Sequence, residues 1–222
     1  THTSTTNTFA AWLTPISSKL DIKARAASPE VNLSLDGAAL GMEKRFAEHF
    51  IVGGGLSVGK TDVDFKSGGR AKLEGGALSL YGALDYEEDG RLSLTLTKGG
   101  HDINAISRAT GVALLTARGE TKSDFWDVEL AARSTDEIGP IKIDHGLALS
   151  AGRFKVDGYQ ETDADGLALR FDDQAFNYRR LTLDANLEGP GYEITPSLTL
   201  SPLADIGYTY QFGDKDYGLT SQ

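Results

Sequence analysis

The stretch Gly53–Thr61, GGGLSVGKT, carries two patterns that are typical of catalytic sites. Residues 54–61 fit the G-x-x-x-x-G-K-T pattern of phosphate-binding P-loops. Residues 55–59 fit the G-x-S-x-G pattern of the nucleophile elbow in serine hydrolases. Both patterns depend on a strand, a tight turn and a helix in succession, because that arrangement presents the reacting group. The flanking sequence therefore decides whether either chemistry is present.

The sequence after this stretch does not predict a helix. Residues 62–76, DVDFKSGGRAKLEGG, contain four glycines and no period of 3.6 residues. The histidines downstream, His101 and His145, lie near a loop and within an alternating segment, so neither predicts a triad. The histidines of the chain also lack metal-ligand spacing. Ser57 and Lys60 fall on opposite faces of a strand. We therefore predict no catalytic residue, no metal site and no cofactor in this chain, and no enzyme activity of its own.

Composition narrows the class of protein further. The chain has 222 residues, a formal net charge of −10 and no cysteine. A disulfide or a thiolate metal site is therefore excluded. The negative charge argues against a nucleic-acid partner, which normally meets a basic face. No run reaches the roughly 18 consecutive apolar residues of a transmembrane helix.

The dominant signal is a strict alternation of apolar and polar residues. Over Tyr192–Phe212, apolar residues and prolines occupy the even positions, and the odd positions are nearly all polar. Such a period of two predicts β-strands. We expect an all-β chain, an antiparallel up-and-down barrel, with about nine strands visible. Their predicted ranges are 8–27, 31–45, 49–65, 71–87, 91–105, 118–134, 140–159, 167–187 and 192–212.

The connections between these strands also alternate. We predict tight turns at 43–48, 87–90, 136–140 and 188–191, and longer or more irregular loops at 66–70, 106–121 and 161–166. Strands of soluble proteins are usually only ~5–6 residues long. Long strands with short turns at one end and longer loops at the other are typical of outer-membrane barrels. Aromatic residues near the strand ends would suit interfacial girdles. We therefore predict a transmembrane barrel in the outer membrane of a Gram-negative bacterium.

In such a barrel the apolar face contacts lipid and the polar face lines a water-filled lumen. The candidates for the lipid-facing surface are Leu78, Leu80, Leu92, Leu94, Leu147, Leu149, Leu198, Leu200, Tyr208 and Tyr210. The candidates for the lumen are Lys142, Asp144, Arg170, Asp172, Arg180 and Asp184. We divide the chain into a polar linker remnant at 1–8, the barrel at 9–212, and a loop or truncated end at 213–222. Two alternatives stay open: a soluble barrel or sandwich for ligand binding or adhesion, and a simple outer-membrane porin.

Several blocks of this sequence resemble the β-domain, or translocator, of the monomeric autotransporters of Gram-negative bacteria. Residues 38–65 look like an early strand–turn–strand of that domain, and residues 75–104 resemble its next hairpin with an L-x-L-Y-G strand. The block 154–189 is more specific. Its VDGY, FDDQ and RR segments follow in the order of the GDSL-type esterase/lipase autotransporters.

The resemblance implies a 12-stranded barrel that anchors a passenger and helps deliver it across the outer membrane. It implies a linker helix of the passenger in the pore, outer-membrane lipid around the barrel, and insertion by the BAM assembly complex. Any esterase activity would lie in a passenger. Barrels of this family usually end in a strand with a terminal aromatic, whereas this sequence ends in GDKDYGLTSQ. We therefore expect that the closing C-terminal strands are missing here. A further hypothesis is that the chain was captured during assembly with a partner.

Overall fold

Long β-strands dominate the regular structure of the described residues. The computed structural model describes residues 9–23, 30–46, 49–86, 89–112, 115–195 and 198–213. The nine long strands are β1 (Phe9–Ile22), β2 (Val31–Phe46), β3 (Phe50–Phe65), β4 (Gly69–Tyr86), β5 (Gly90–Ala109), β6 (Thr116–Ile138), β7 (Ile141–Val156), β10 (Gln174–Glu188) and β13 (Leu203–Gly213). The short strands are β8 (Tyr159–Gln160), β9 (Arg170–Phe171), β11 (Tyr192–Thr195) and β12 (Leu198–Leu200). Within these ranges no helix is long and apolar enough to span a membrane.

The nine long strands form one antiparallel sheet in the order β1-β2-β3-β4-β5-β6-β7-β10-β13. Each strand pairs with the preceding and following long strand of the chain, so the topology is up-and-down as predicted. The sheet curls into a half-barrel. Among the described residues, β1 pairs only with β2 and β13 pairs only with β10, so these two strands are its edges.

The sheet has two unlike faces because side chains alternate along every strand. We call them the apolar face and the polar face. On β3, Leu56 and Val58 of the apolar face are exposed, at 53% and 66%. On the polar face, several side chains contact partners two strands away, such as Tyr81 of β4 with Glu43 of β2. Contacts that skip a strand require a concave surface, so the polar face is the inner one.

The stretch 53–61 lies entirely within β3, and the next element is β4 rather than a helix. The P-loop and nucleophile-elbow patterns therefore lack the turn and the helix that their chemistry needs. Gly53 and Gly55 lie on the inner face, where a Cβ at Gly53 would meet the Tyr81 ring and a Cβ at Gly55 would meet the Trp12 ring. These glycines leave room for large rings from neighbouring strands.

The prediction of one strand over 192–212 was wrong. The strands β11 (Tyr192–Thr195) and β12 (Leu198–Leu200) pair with each other as a small hairpin outside the sheet, and the sheet strand β13 begins only at Leu203. The prolines at 196 and 202 satisfy the alternation of apolar residues, but proline lacks the N–H that a ladder needs. The prediction of a tight turn at 188–191 was also wrong, because the β11–β12 hairpin lies between β10 and β13 in the chain.

The prediction of one strand over 167–187 was also wrong. β7 and β10 are joined by a bent ribbon that contains β8 and β9, and the sheet strand β10 begins at Gln174. We call residues 157–173 the ribbon. At its bend, the N–H of Gly158 donates to the Asp173 carboxylate, at 2.7 Å. The β3–β4 connection is in turn tighter than predicted, because β4 already begins at Gly69.

Candidate lumen wall and lipid face

Charged and hydroxyl side chains of the inner face bond to one another across the middle of the sheet. The Tyr178 hydroxyl donates to the Asp127 carboxylate at 2.7 Å. The guanidinium of Arg180 donates to the Ser150 hydroxyl at 3.1 Å and lies 3.8 Å from the Glu129 carboxylate. Strand alternation positions these side chains, because registered neighbours on adjacent strands share a face. This part of the wall carries charges of both signs.

A second group of ion pairs lies at the end of the sheet where the β2–β3, β4–β5 and β6–β7 turns are short. The Asp85 carboxylate accepts from Arg45 and from Arg91, each at 2.7 Å. At the same end of the sheet, Arg133 of β6 lies 3.0 Å from the carboxylate of Asp184 on β10. These pairs are half-exposed to exposed, so each contributes only ~0–1 kcal/mol to stability. Their main consequence is a hydrated, charge-balanced surface.

Four of the six predicted lumen residues lie on the inner face. Arg180 and Asp184 are on β10, in the contacts described above. Lys142 and Asp144 are on β7, where their charged groups lie 3.7 Å apart. The remaining two, Arg170 and Asp172, are exposed residues of the ribbon, outside the nine-stranded sheet.

Eight of the ten predicted lipid-facing residues lie on the apolar face of the sheet. Exposed side chains on the long strands are Leu78, Leu80, Leu92, Leu94, Leu147, Leu149, Tyr208 and Tyr210. Leu200 is exposed as well, but it lies in the β11–β12 hairpin. The side chain of Leu198 lies outside the described residues. Exposed leucines and tyrosines that cover adjacent strands form a larger apolar surface than a monomeric protein leaves in water.

The ribbon is held against the sheet by a buried carboxylate that the sequence reasoning missed. The Glu161 side chain is 1% exposed, and its two oxygens accept from Arg108 of β5 at 2.9 and 2.6 Å. It also accepts from the N–H of Leu169 at 3.0 Å. The Arg108 guanidinium, followed by this N–H, holds the pKa of Glu161 below its usual range against the opposing effect of burial.

The ribbon also extends the sheet beside β6. Backbone groups of Arg118 and Thr162 exchange two hydrogen bonds, at 3.0 and 2.8 Å. The Tyr159 ring covers Gly119 and stacks on Phe171 at 4.7 Å between ring centroids. Below the ribbon lies a cavity of about 500 Å³ on the inner face. No local pattern in the sequence indicates these contacts, because they join residues from separate hairpins.

The other missed residues of the wall could have been found from the alternation. Asp127 and Glu129 alternate with the apolar residues of β6, which predicts that they share the polar face. Their partners, Tyr178 and Arg180, required the register between strands, which the sequence does not give. Within the described ranges, no three His, Asp or Glu side chains gather as a metal site would require.

This architecture, with long antiparallel strands, an exposed apolar face and a charged inner face, defines a transmembrane β-barrel protein. The chain matches the family model described as "Autotransporter beta-domain" over residues 11–222. It therefore belongs to the autotransporter β-domain family, whose members are translocator barrels in the outer membrane of Gram-negative bacteria. A β-domain of this family is not itself an enzyme. The alternative of a soluble barrel or sandwich is excluded by this membership.

Two solved structures share the fold. The translocator domain of autotransporter NalP from Neisseria meningitidis aligns with a TM-score of 0.72 at 16% identity, covering 96% of this chain and 71% of that one. The β-domain of the Bordetella autotransporter BrkA aligns with a TM-score of 0.63 at 16% identity, covering 92% of this chain and 80% of that one.

A relative from Pseudomonas putida is described as "Uncharacterized protein in trpE-trpG intergenic region". It is 32% identical over an alignment of 134 positions that covers 56% of this chain. The match spans only 21% of the length of that relative.

Proposed function

We propose that this barrel anchors a passenger in the outer membrane and forms the hydrated pore through which the passenger reaches the cell surface. The observation that supports this most is the inner face, where charges of both signs pair across strands and a tyrosine hydroxyl donates to a carboxylate. A wall of this kind keeps water in the lumen without strong ion selectivity. We assign Lys142, Asp144, Arg180 and Asp184 to that lumen, and the exposed apolar residues of the long strands to lipid.

The orientation follows from the connections. The β2–β3, β4–β5 and β6–β7 turns lie at one end, where the β10–β13 connection is the one longer exception, and the ribbon lies at the other end, where the β3–β4 turn is the short exception. Short turns face the periplasm in outer-membrane barrels, and longer loops face the outside. We therefore place the ribbon on the extracellular side and the start of β1 on the periplasmic side. A linker that enters near β1 would cross the lumen beside the charged wall.

The experiment replaces the Glu129–Arg180 pair by leucines in the full-length protein. Both side chains occupy one level of the inner face. An apolar patch there should slow the appearance of the passenger at the cell surface, measured by protease accessibility on intact cells. The electrophoretic shift on boiling should persist, since it reports an assembled barrel. The matched control, Leu130→Ile on the apolar face of the same strand, should leave delivery unchanged. Unchanged delivery in the double variant would contradict a role for this wall.

We also propose the specific partners of the barrel. Family membership implies an outer-membrane assembly machinery in general, and we infer that this machinery is the BAM complex. Depletion of its central barrel subunit should remove the full-length protein from outer-membrane fractions. The second partner is the passenger's own linker helix in the lumen. A crosslink between the linker and a photoreactive residue at Glu129 tests that contact, and a crosslink to lipid instead would refute it.

We further infer that the passenger is an esterase of the GDSL type. The order of the VDGY, FDDQ and RR segments supports this proposal, and they span the end of β7, the ribbon and β10. Intact cells that carry the full-length protein should hydrolyse short-chain nitrophenyl esters. A displayed passenger without this activity would refute the esterase assignment, while the role of the barrel would stand.

A further inference from the structure

The apolar face ends in charged residues on seven adjacent strands. On each of these strands, the first outward-facing residue beyond the apolar segment, toward the ribbon end, is charged and exposed. We call this set the collar, and its members from β2 to β10 are Asp36, Lys60, Glu74, Lys98, Asp124, Arg153 and Arg179. In a barrel, a charge at this place marks the border between hydrocarbon and headgroups, because it is costly any deeper.

The two halves of the collar differ in charge balance. On β2, β3 and β4, Lys60 lies directly opposite Asp36 on one side and Glu74 on the other. Opposite charges at such positions attract and neutralise one another. On β5, β6, β7 and β10 the collar holds three cations and one carboxylate, so it carries a local excess of positive charge. This excess is unusual in a chain whose net charge is −10.

The three cations of the second half form a compact group that we call the basic arc: Lys98, Arg153 and Arg179. The register places Lys98 and Arg153 on either side of Trp126, two strand spacings or ~10 Å apart. Arg179 is registered with Ala151, diagonally next to Arg153. Within the described part of the chain, none of the three forms a salt bridge.

The surroundings of the basic arc suit a headgroup better than free solution. Trp126 is 44% exposed between two of its cations, and tryptophan prefers the membrane interface. The nearby Lys155 is already paired with Asp157 at 2.7 Å and Asp173 at 3.1 Å. Arginine and lysine bind phosphate groups by charge-assisted hydrogen bonds. Three cations that form no salt bridge with the described residues, placed around an interfacial ring, therefore form a surface for an anionic, phosphorylated headgroup.

We propose that the basic arc binds the phosphate groups of the glycolipid that forms the outer leaflet of the Gram-negative outer membrane. The proposal rests on the orientation given above, which places the collar at the outer leaflet. We assign the bound phosphate to a membrane lipid rather than to free phosphate in solution, because the cations adjoin the lipid-facing leucines. Bound glycolipid would supply the negative charge that the collar lacks on β5 to β10.

The test uses the full-length protein in phosphatidylcholine nanodiscs, titrated with purified outer-membrane glycolipid or with the same lipid after dephosphorylation. A cation near a membrane surface strengthens binding of an anionic lipid roughly fivefold. The wild-type protein should therefore prefer the phosphorylated lipid by at least about tenfold. The triple variant K98Q/R153Q/R179Q should lose this preference. The control K60Q/K72Q should keep it, because Lys60 and Lys72 lie opposite carboxylates.

Three results would overturn the proposal: no preference in the wild-type protein, a preference that survives in the triple variant, or displacement of the glycolipid by millimolar inorganic phosphate. The last result would mean that the site takes free phosphate. The boiling-dependent electrophoretic shift confirms that each variant is assembled. Passenger exposure on cells, measured in parallel, separates failure of the lipid site from failure of the translocator role.

Discussion

Replacing Arg108 by methionine should release the ribbon from the sheet, and the effect should depend on pH. The substitution leaves the Glu161 carboxylate 1% exposed and without its cation. Loss of one partner of a buried ion pair costs ~3–5 kcal/mol. The carboxylate can instead take up a proton, which limits the cost to 1.36 kcal/mol per pH unit above its ordinary pKa of about 4.3. The limit is about 3.7 kcal/mol at pH 7 and about 1 kcal/mol at pH 5.

The reverse substitution, Glu161→Gln, should cost less at pH 7. Arg108 keeps its bond to the Leu167 carbonyl, and its side chain is 37% exposed, so water can solvate the charge. We expect a cost of about 1.5 kcal/mol, the loss of a hydrogen bond to a charged group, with little pH dependence between 5 and 7. The two variants should therefore differ strongly at pH 7 and become similar at pH 5.

The assay is hydrogen exchange of the ribbon amides in the full-length protein in lipid, with each variant compared with wild type at the same pH. The amides of Glu161 and Thr162 donate to Leu169 and Arg118, so their protection reports the local opening of the ribbon. Equal loss of protection in both variants at pH 7, or a loss in R108M that does not shrink at pH 5, would refute the reasoning.

In the wild-type protein the stability of the ribbon depends on pH in the opposite direction to that in R108M, because the pKa of Glu161 is lowered in the folded state. The ion pair contributes stability that is fully present above the unfolded pKa of about 4.3. This stability is lost as the pH falls below that value through the lowered folded pKa. Ribbon protection in wild type should therefore be constant from pH 7 to pH 5 and decrease below about pH 4.

The remaining predictions concern the two faces of the sheet. Gly53→Val should displace the adjacent tyrosine ring and cost ~1–3 kcal/mol, read as a lower midpoint of the boiling-dependent shift. Gly82→Val on the apolar face should not, because a Cβ there would meet only the Ile51 carbonyl oxygen, at an ordinary contact distance of 3.8 Å. Leu94→Arg should cost ~2–4 kcal/mol in lipid, and Thr95→Arg on the inner face should be tolerated; equal costs would contradict the assigned faces. Asp184→Asn should change stability by ~1 kcal/mol or less, and a larger loss would mean that its ion pair is not hydrated.

The sequence predicted the fold well where one signal was repeated many times. Alternation of apolar and polar residues determined the nine-strand count and the face of Leu94 or Arg180, because both follow from the period of a strand. This signal failed at Pro202. The apolar pattern continues there, but proline has no N–H to continue the hydrogen bonding between strands. It also failed at the ribbon, since the Arg108–Glu161 pair joins residues 53 positions apart in the chain.

For the candidate site, the sequence predicted which charged residues share the inner face but not which of them contact one another. Lys142, Asp144, Arg180 and Asp184 could be assigned to one face from alternation alone. Their partners on other strands, such as Glu129 for Arg180, depend on register and on the curl of the sheet. A single sequence carries no local signal for either.

We propose that the even-numbered side chains of β5 contact lipid and that the odd-numbered ones face water. Because the chain has no cysteine, single cysteines at positions 92 to 97 can each carry a nitroxide label in the full-length protein in outer membranes. Collision rates with oxygen, which concentrates in lipid, and with a water-soluble nickel chelate then identify the environment of each label. We predict oxygen accessibility at Leu92, Leu94 and Leu96, and nickel accessibility at Ser93, Thr95 and Thr97. The opposite phase, or no alternation along the strand, would contradict the account.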